Sequence, residues 1–285
     1  MSSGKLSNPK ELIFTEKDHT YKVDNMKLTS VTTLLKDYFS PFDAKKIAKK
    51  LAMMQKGRNG KKYKLGEEIT DEDKKKATQK YWKAEWKEAS NHGTRIHKGL
   101  ENAVRSPKDS MQAIWDNSIE ERDTKKMTQG WTFLSLHSDK DTELIPELQL
   151  YDLELGLAGT IDLVITKDKK TSLADWKTNK RIDRKGYQGA MALPPISELP
   201  DCNYSKYALQ LGVYAFMLER KGYLIDKLYL VHLKEDSFTP YEIDYQEVKP
   251  FVEAILNEKE NSRRTDAGTK SSAKNKSRSI IKTDT

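Results

Sequence analysis

The chain is almost without cysteine. Cys202 stands alone among 285 residues, so no disulfide can close within the chain and no four-cysteine zinc or iron–sulfur site can be built from it. Long apolar runs are missing too: charged residues make up 33% and mean hydropathy is -0.81. No window approaches the roughly 18 uninterrupted apolar residues of a membrane span. The opening MSSGKLSNPK lacks the apolar segment of a secretory signal, which leads to the expectation of a soluble, intracellular protein in a reducing compartment. No G-x-x-x-x-G-K-[ST] loop occurs, since GRNGKK stops short of one, and a P-loop nucleotide site is excluded.

What is present in excess is positive charge. The formal net charge is +8 with pI near 9.1, which favours a polyanionic partner. From Asn257 to the end there are eight Lys or Arg against four Asp or Glu, and from Ala44 to Gly66 nine basic residues and no acidic one. The first stretch is short of large apolar residues and is expected to be a disordered basic tail over 257–285. The second reads equally as a solvated helix and loop or as a phosphate-tracking surface. Lys45, Lys49, Lys56, Arg58 and Lys61, with Lys180 further on, are its candidates for nucleic-acid contact.

Local patterns predict the order of elements. Leu12–Phe14 and Thr20–Val23 read as a hairpin across TEKDH, and TSVTTLLKDYF as a helix from Ser30 that ends before Pro41. Thr70 can cap a helix through TDEDKKKATQKYWKAEWKEAS, and a separate helix is expected after NHGT, with His97 and Glu101 one turn apart. Period-two alternation then marks LIPELQLYDL, LAGTIDLVITK and TSLADWK as strands. Asn203 can cap a helix that stops at Gly222, followed by strands KLYLVHLK and PYEIDYQEV and a last helix PFVEAILNE. This order predicts an α/β (α+β) fold with a central mixed sheet. One domain is expected over 11–256, comprising a hairpin and basic helical part (11–92) and a core (93–256), behind a flexible stretch 1–10.

The hairpin GTIDLVITKDKKTSLADWKTNK carries the chemistry. A turn centred on Lys169 and Lys170 places Asp162 opposite Lys177 and Val164 opposite Asp175. Cross-strand partners and positions two apart share a face, so Asp162, Asp175 and Lys177 converge within roughly 5 to 8 Å. Two carboxylates with an ammonium suit divalent-metal phosphodiester hydrolysis, the acids holding Mg²⁺ and the lysine orienting water or neutralising charge. A cross-strand salt bridge with a spare acid is the plainer reading of the same residues.

Four segments in order, GTRIHKGLE, PELQL, AGTIDLVITKDKKTSLADWKTNK and YALQLGVYAFMLE, resemble the PD-(D/E)XK nuclease superfamily. Within it they are most similar to the RecB-like branch and its compact phage and mitochondrial exonucleases. The resemblance implies a restriction-endonuclease-like core, with Asp162, Asp175 and the Trp176 backbone carbonyl as metal ligands and Lys177 as the catalytic lysine. It also implies His97 as a nitrogen ligand, Glu147 as a further ligand, and Gln210 and Tyr214, a Q-x-x-x-Y signature, as substrate-positioning residues. Glu101 is as consistent with a surface carboxylate, and Gly159 with close backbone approach near the metal. Ile161 stands where the superfamily's name has proline. The implied cofactor is Mg²⁺, with Mn²⁺ as substitute. The implied partner is DNA with a free end, alongside single-stranded DNA-binding or recombination proteins, in a host cytoplasm if phage-encoded. A structure-selective endonuclease of the same fold and an inactive nucleic-acid-binding protein are the alternatives.

Overall fold

The computed structural model describes residues 6–15 and 20–261. Three short strands, β1 (Leu12–Thr15), β2 (Thr20–Val23) and β3 (Met26–Ser30), open the chain as an antiparallel meander. The expected turn residues 16–19 lie outside the described residues. Ser30 then caps α1 (Val31–Lys36), its side chain accepting from the Thr33 amide at 3.1 Å.

The basic stretch is one 22-residue helix, α2 (Ala44–Leu65), ended by Gly66 at φ 76°, a left-handed cap that glycine adopts without cost. Thr70 caps α3 (Asp71–Lys76) in a reciprocal capping box with Asp73. The single helix expected from Thr70 to Ser90, and the break expected at NHGT, are not what forms. The chain breaks after Lys76, and α4 runs unbroken over Gln79–Arg105. Gly93 lies inside it beside Thr178, whose Oγ1 a Cβ there would meet at an ordinary 3.4 Å. α5 (Ser110–Asp116) and α6 (Glu121–His137) follow in a region where sequence reading assigns no element.

The central strands are β4 (Glu143–Asp152), β5 (Leu157–Lys167) and β6 (Lys170–Lys177), then α7 (Asn203–Arg220), β7 (Leu224–Leu233) and β8 (Phe238–Ile243). A final helix, α8, covers 245–261. The strand expected to reach Val248 therefore stops at Ile243, where Asp244 Oδ1 accepts from the Gln246 amide at 2.8 Å. α8 also carries regular structure into 257–261, the start of the expected tail; residues 262–285 lie outside the described residues. At the other end, Leu6 packs on the main core and Asn8 Oδ1 accepts from the Gln149 amide at 2.8 Å. Residues 6–10 of the expected flexible stretch are thus docked, satisfying an amide of edge strand β4.

The eight strands form one mixed sheet in the order β1-β2-β3-β5-β6-β7-β8, with β4 also on β5. One face packs α1 and α7 through Val31, Leu35, Leu209, Val213 and Met217. The other packs α4 and α6 through Ile96, Leu100, Met127, Phe133 and Leu134. No helix among the described residues is long and apolar enough to cross a membrane.

One topological detail makes room for a site. β5 pairs β6 only from Lys167↔Lys170 to Leu163↔Ala174, and pairs β3 only at Leu157 and Ala158. Since β4 occupies the whole opposite edge of β5, β3 and β6 share the remaining edge, and Gly159 to Asp162 face the gap between them.

Candidate active site

The β5–β6 turn falls at Asp168 and Lys169, with φ 51° and 64°, the positive pair of a type I′ hairpin turn. This is one residue earlier than expected, so the register shifts by two and Asp162 lies opposite Asp175 rather than Lys177. A shift of two leaves side chains on their faces, and the three groups still gather. Beyond Leu163↔Ala174 the strands part, and the Trp176 amide donates to Asp162 Oδ2 at 2.8 Å instead of to a strand carbonyl. A carboxylate thereby satisfies the buried donor that the splayed ladder leaves.

Around this point the chain concentrates charge. Lys177 Nζ lies 2.5 Å from Asp175 Oδ2, though not at an angle that makes a hydrogen bond, so that buried oxygen has a cation beside it but no aligned donor. Asp175 Oδ1 accepts from Gln210 Nε2 at 3.3 Å. His97 is set by α4 with Nδ1 3.3 Å from Asp162 Oδ2 and Nε2 donating to the Trp176 carbonyl at 3.0 Å. Glu147 interrupts the β4–β5 ladder between Pro146↔Leu163 and Leu148↔Ile161, at φ 50°. One ligand atom each from His97, Glu147 and Asp162 lies within 4.8 Å of the others.

Electrostatics fit a cation here. Burial and the Asp162 charge push Glu147 up to about 7, and burial, with Asp162 again, raises Asp175 despite Lys177. Burial opposes charge on Asp162 and Lys177 as well, but His97 and Lys177 outweigh it for Asp162, and the two aspartates outweigh it for Lys177. The carboxyl is held below, and the ammonium above, its ordinary value. Carboxylates crowded at low exposure, an imidazole and a backbone carbonyl form a hard, oxygen-rich donor set that could hold a divalent ion.

Other expected residues fall elsewhere. Tyr214, expected with Gln210 to position substrate, is 4% exposed in the main core. Its ring covers Gly159, where a Cβ would come within 2.5 Å of Tyr214 Cε1 and 2.8 Å of Oη. Gly159→Ala is therefore expected to lose roughly 1–3 kcal/mol by overpacking, read as a lower urea midpoint with unchanged m; an unshifted midpoint would show that the ring yields freely. Glu101 is committed to Lys98 at 2.8 Å and Arg105 at 3.0 Å. Lys45, Lys49, Lys56, Arg58 and Lys61 are exposed on α2, and Lys180 is exposed beyond β6. Only the first three lie along one side of α2, by their spacing. A second cluster, His92, Glu120 and Asp123, also has metal-like spacing, but Arg95 Nε already donates to Asp123 Oδ2 at 2.9 Å.

Sequence reading missed Tyr207. Its ring lies 4.5 Å from Lys177 Nζ and its hydroxyl donates to Asn179 Oδ1 at 3.1 Å. The signal was its position three residues before Gln210, on the same side of α7.

Comparison with curated proteins finds no match. Among solved structures, one titled "Crystal structure of SSO0001" is similar at 17% identity over 56% of this chain and 73% of that chain, with a TM-score of 0.25, too low to carry an argument. The family model of the PD-(D/E)XK nuclease superfamily matches residues 62–274, a span that includes every group gathered at the parting of β5 and β6. This chain belongs to the PD-(D/E)XK nuclease superfamily, whose members are nucleases that use divalent metals on nucleic acid.

Proposed function

We propose that the chain is an Mg²⁺-dependent deoxyribonuclease of the RecB-like branch that digests DNA from a free end, with Mn²⁺ able to substitute. The observation that carries this reading is the meeting of Asp162, Asp175 and Lys177 where β5 and β6 separate, with His97 and Glu147 beside them. Asp162, Asp175, Glu147, His97 and the Trp176 carbonyl would hold the ion. When bound, such an ion offsets charge on phosphate oxygens and lowers the pKa of an attacking water.

The chain's own groups do the rest. Burial opposes the charge on Lys177, but Asp175 and Asp162 outweigh it and hold the ammonium above its ordinary value, so its positive charge stands beside the acids to face a phosphate. Gln210 holds Asp175 in orientation through one carboxylate oxygen, and the Lys177 ammonium lies against the other. Tyr214 supports the site from behind by packing on Gly159. The branch and the free-end preference are supported by Gln210 and Tyr214 on one helix and by the order of the four segments.

The test is digestion of linear DNA, labelled at one end or the other, beside a covalently closed circle, with Mg²⁺ or Mn²⁺. Linear DNA is expected to shorten from a labelled end while the circle survives. Nicking of the circle would replace the exonuclease reading by the endonuclease one, and intact linear DNA with both metals would defeat the nuclease reading.

A further inference from the structure

The main chain just beyond Lys177 is gripped from both faces of the sheet. Lys177 is the last residue of β6; β5 pairs this strand no further than Ala174, and the ladder partner of Lys177 is His232 of β7. After it the chain leaves the sheet: Thr178 is half-buried, and Asn179 and Lys180 are exposed. A strand end that loses its ladder and comes to the surface is held by whatever side chains reach its backbone.

Two donors reach it from elements remote in sequence. Lys126 Nζ, on α6, donates to the Thr178 carbonyl at 3.1 Å, and His232 Nε2 donates to the Asn179 carbonyl at 2.6 Å. α6 packs on one face of the sheet. His232 shares with its ladder partner Lys177 the other face, which carries α7. From α7 itself the Tyr207 hydroxyl donates to Asn179 Oδ1 at 3.1 Å.

Core packing does not call for either donor. His232 is 2% exposed among Leu230, Val231 and Leu233, all buried, and an aliphatic side chain would fill its place without a polar atom to satisfy. Lys126 is half-buried, and burial works against its charge and pushes its pKa down. What the two share is a bond to one of the two carbonyls that follow Lys177.

Those carbonyls matter because the lysine stem is flexible. The ammonium lies between Asp175 and the Tyr207 ring, so its aim depends on where its backbone is fixed. Upstream, the Trp176 amide is held by Asp162 and the Trp176 carbonyl by His97. Downstream, Lys126 and His232 supply the matching hold from outside the ligand set.

We propose that Lys126 and His232 are positioning residues for the reaction: by holding the Thr178 and Asn179 carbonyls they fix the end of β6 and with it the aim of Lys177. The inference rests on the nuclease reading of the site, and amide exchange tests it apart from cleavage.

The experiment compares the full chain with Lys126→Met and His232→Leu, which remove each donor, and with Lys126→Arg and His232→Gln, which keep an N–H within reach. Single-turnover cleavage of DNA with Mg²⁺ is expected to slow roughly ten- to a hundredfold in the first two, the scale of a small misplacement of a reacting group. The second two are expected to recover most of that loss, and DNA affinity in EDTA, read by fluorescence anisotropy, is expected to match wild type in all four. In a Lys177→Ala background the donor-free substitutions should add less than about twofold, because a group that acts through Lys177 has nothing left to aim. Amide exchange should quicken over residues 178–182 and not along β5. An equal loss in both backgrounds, a loss of affinity in place of rate, wild-type rates in both donor-free variants, or unchanged exchange overturns the proposal. Should urea unfolding show that His232→Leu does not fold, Lys126→Met on the opposite face carries the same comparison. If wild type cuts nothing with Mg²⁺ or Mn²⁺, the nuclease reading fails and exchange alone decides: quickened exchange keeps the hold on β6, and unchanged exchange ends it.

Discussion

Lys177→Ala is expected to slow single-turnover cleavage of DNA by roughly 10²–10³-fold, the usual effect of removing one preorganised charge from a hydrolytic site. Lys177 is 15% exposed and its ammonium is the cation nearest Asp175. Without it, Asp175 keeps the raising influences of burial and Asp162, and it takes up a proton more readily. The variant should therefore lose rate more than it loses DNA affinity, because exposed lysines on α2 remain. Asp162→Asn should also lose rate, but through weaker metal binding, which titration calorimetry reads directly. Cleavage within tenfold of wild type by Lys177→Ala would place the chemistry elsewhere.

The largest effect on stability is expected at a residue outside the site. Asp123 is fully buried and accepts from His92 Nδ1 at 2.6 Å, Arg95 Nε at 2.9 Å and the Ile119 amide at 3.0 Å. It ties the middle of α4 to the first turn of α6. Asp123→Ala leaves the buried His92 imidazole without this acceptor and the largely buried Arg95 guanidinium with Glu88 and Glu120 alone, and breaking a buried pair of this kind costs about 3–5 kcal/mol. That is a large share of the roughly 5–15 kcal/mol by which domains are stable. Urea unfolding should show it, and Asp123→Asn, which keeps an acceptor, should lose less; equal, small losses in both would mean that the network contributes little.

The same group predicts a pH dependence. Burial opposes its charge, but Arg95, the Ile119 amide and His92 outweigh burial and hold the carboxyl below its ordinary 3.8. Its stabilising contribution is complete above the unfolded value and disappears as pH falls through the lowered folded value. Because His97 lies five residues beyond His92 on α4, loosening this tie should also disturb the metal-like patch.

Which parts of the site are legible in the sequence follows from the range of the forces involved. Asp162, Asp175 and Lys177 could be grouped because alternation in a strand is local, and an error of two in register does not alter it. The continuity of α4 through NHGT was hidden, since His92 is held by Asp123 and Gly93 lies beside Thr178, both distant in sequence. The Q-x-x-x-Y spacing made Tyr214 legible as a site residue, but not that its ring is buried over Gly159. Tyr207 carried no motif beyond its spacing from Gln210, and its contact with Lys177 shows its place beside the site.

The sequence by itself determined that strand alternation brings two acids and an amine, Asp162, Asp175 and Lys177, to one patch. Tertiary structure alone decided that β6 leaves β5 where β3 joins it, that His97 and Glu147 enter the gap, and that side chains of α6 and β7, remote in sequence, hold the main chain beyond Lys177. The reason is physical: backbone periodicity fixes where a side chain points relative to its neighbours, whereas the meeting of elements depends on which apolar faces cover one another over the whole chain.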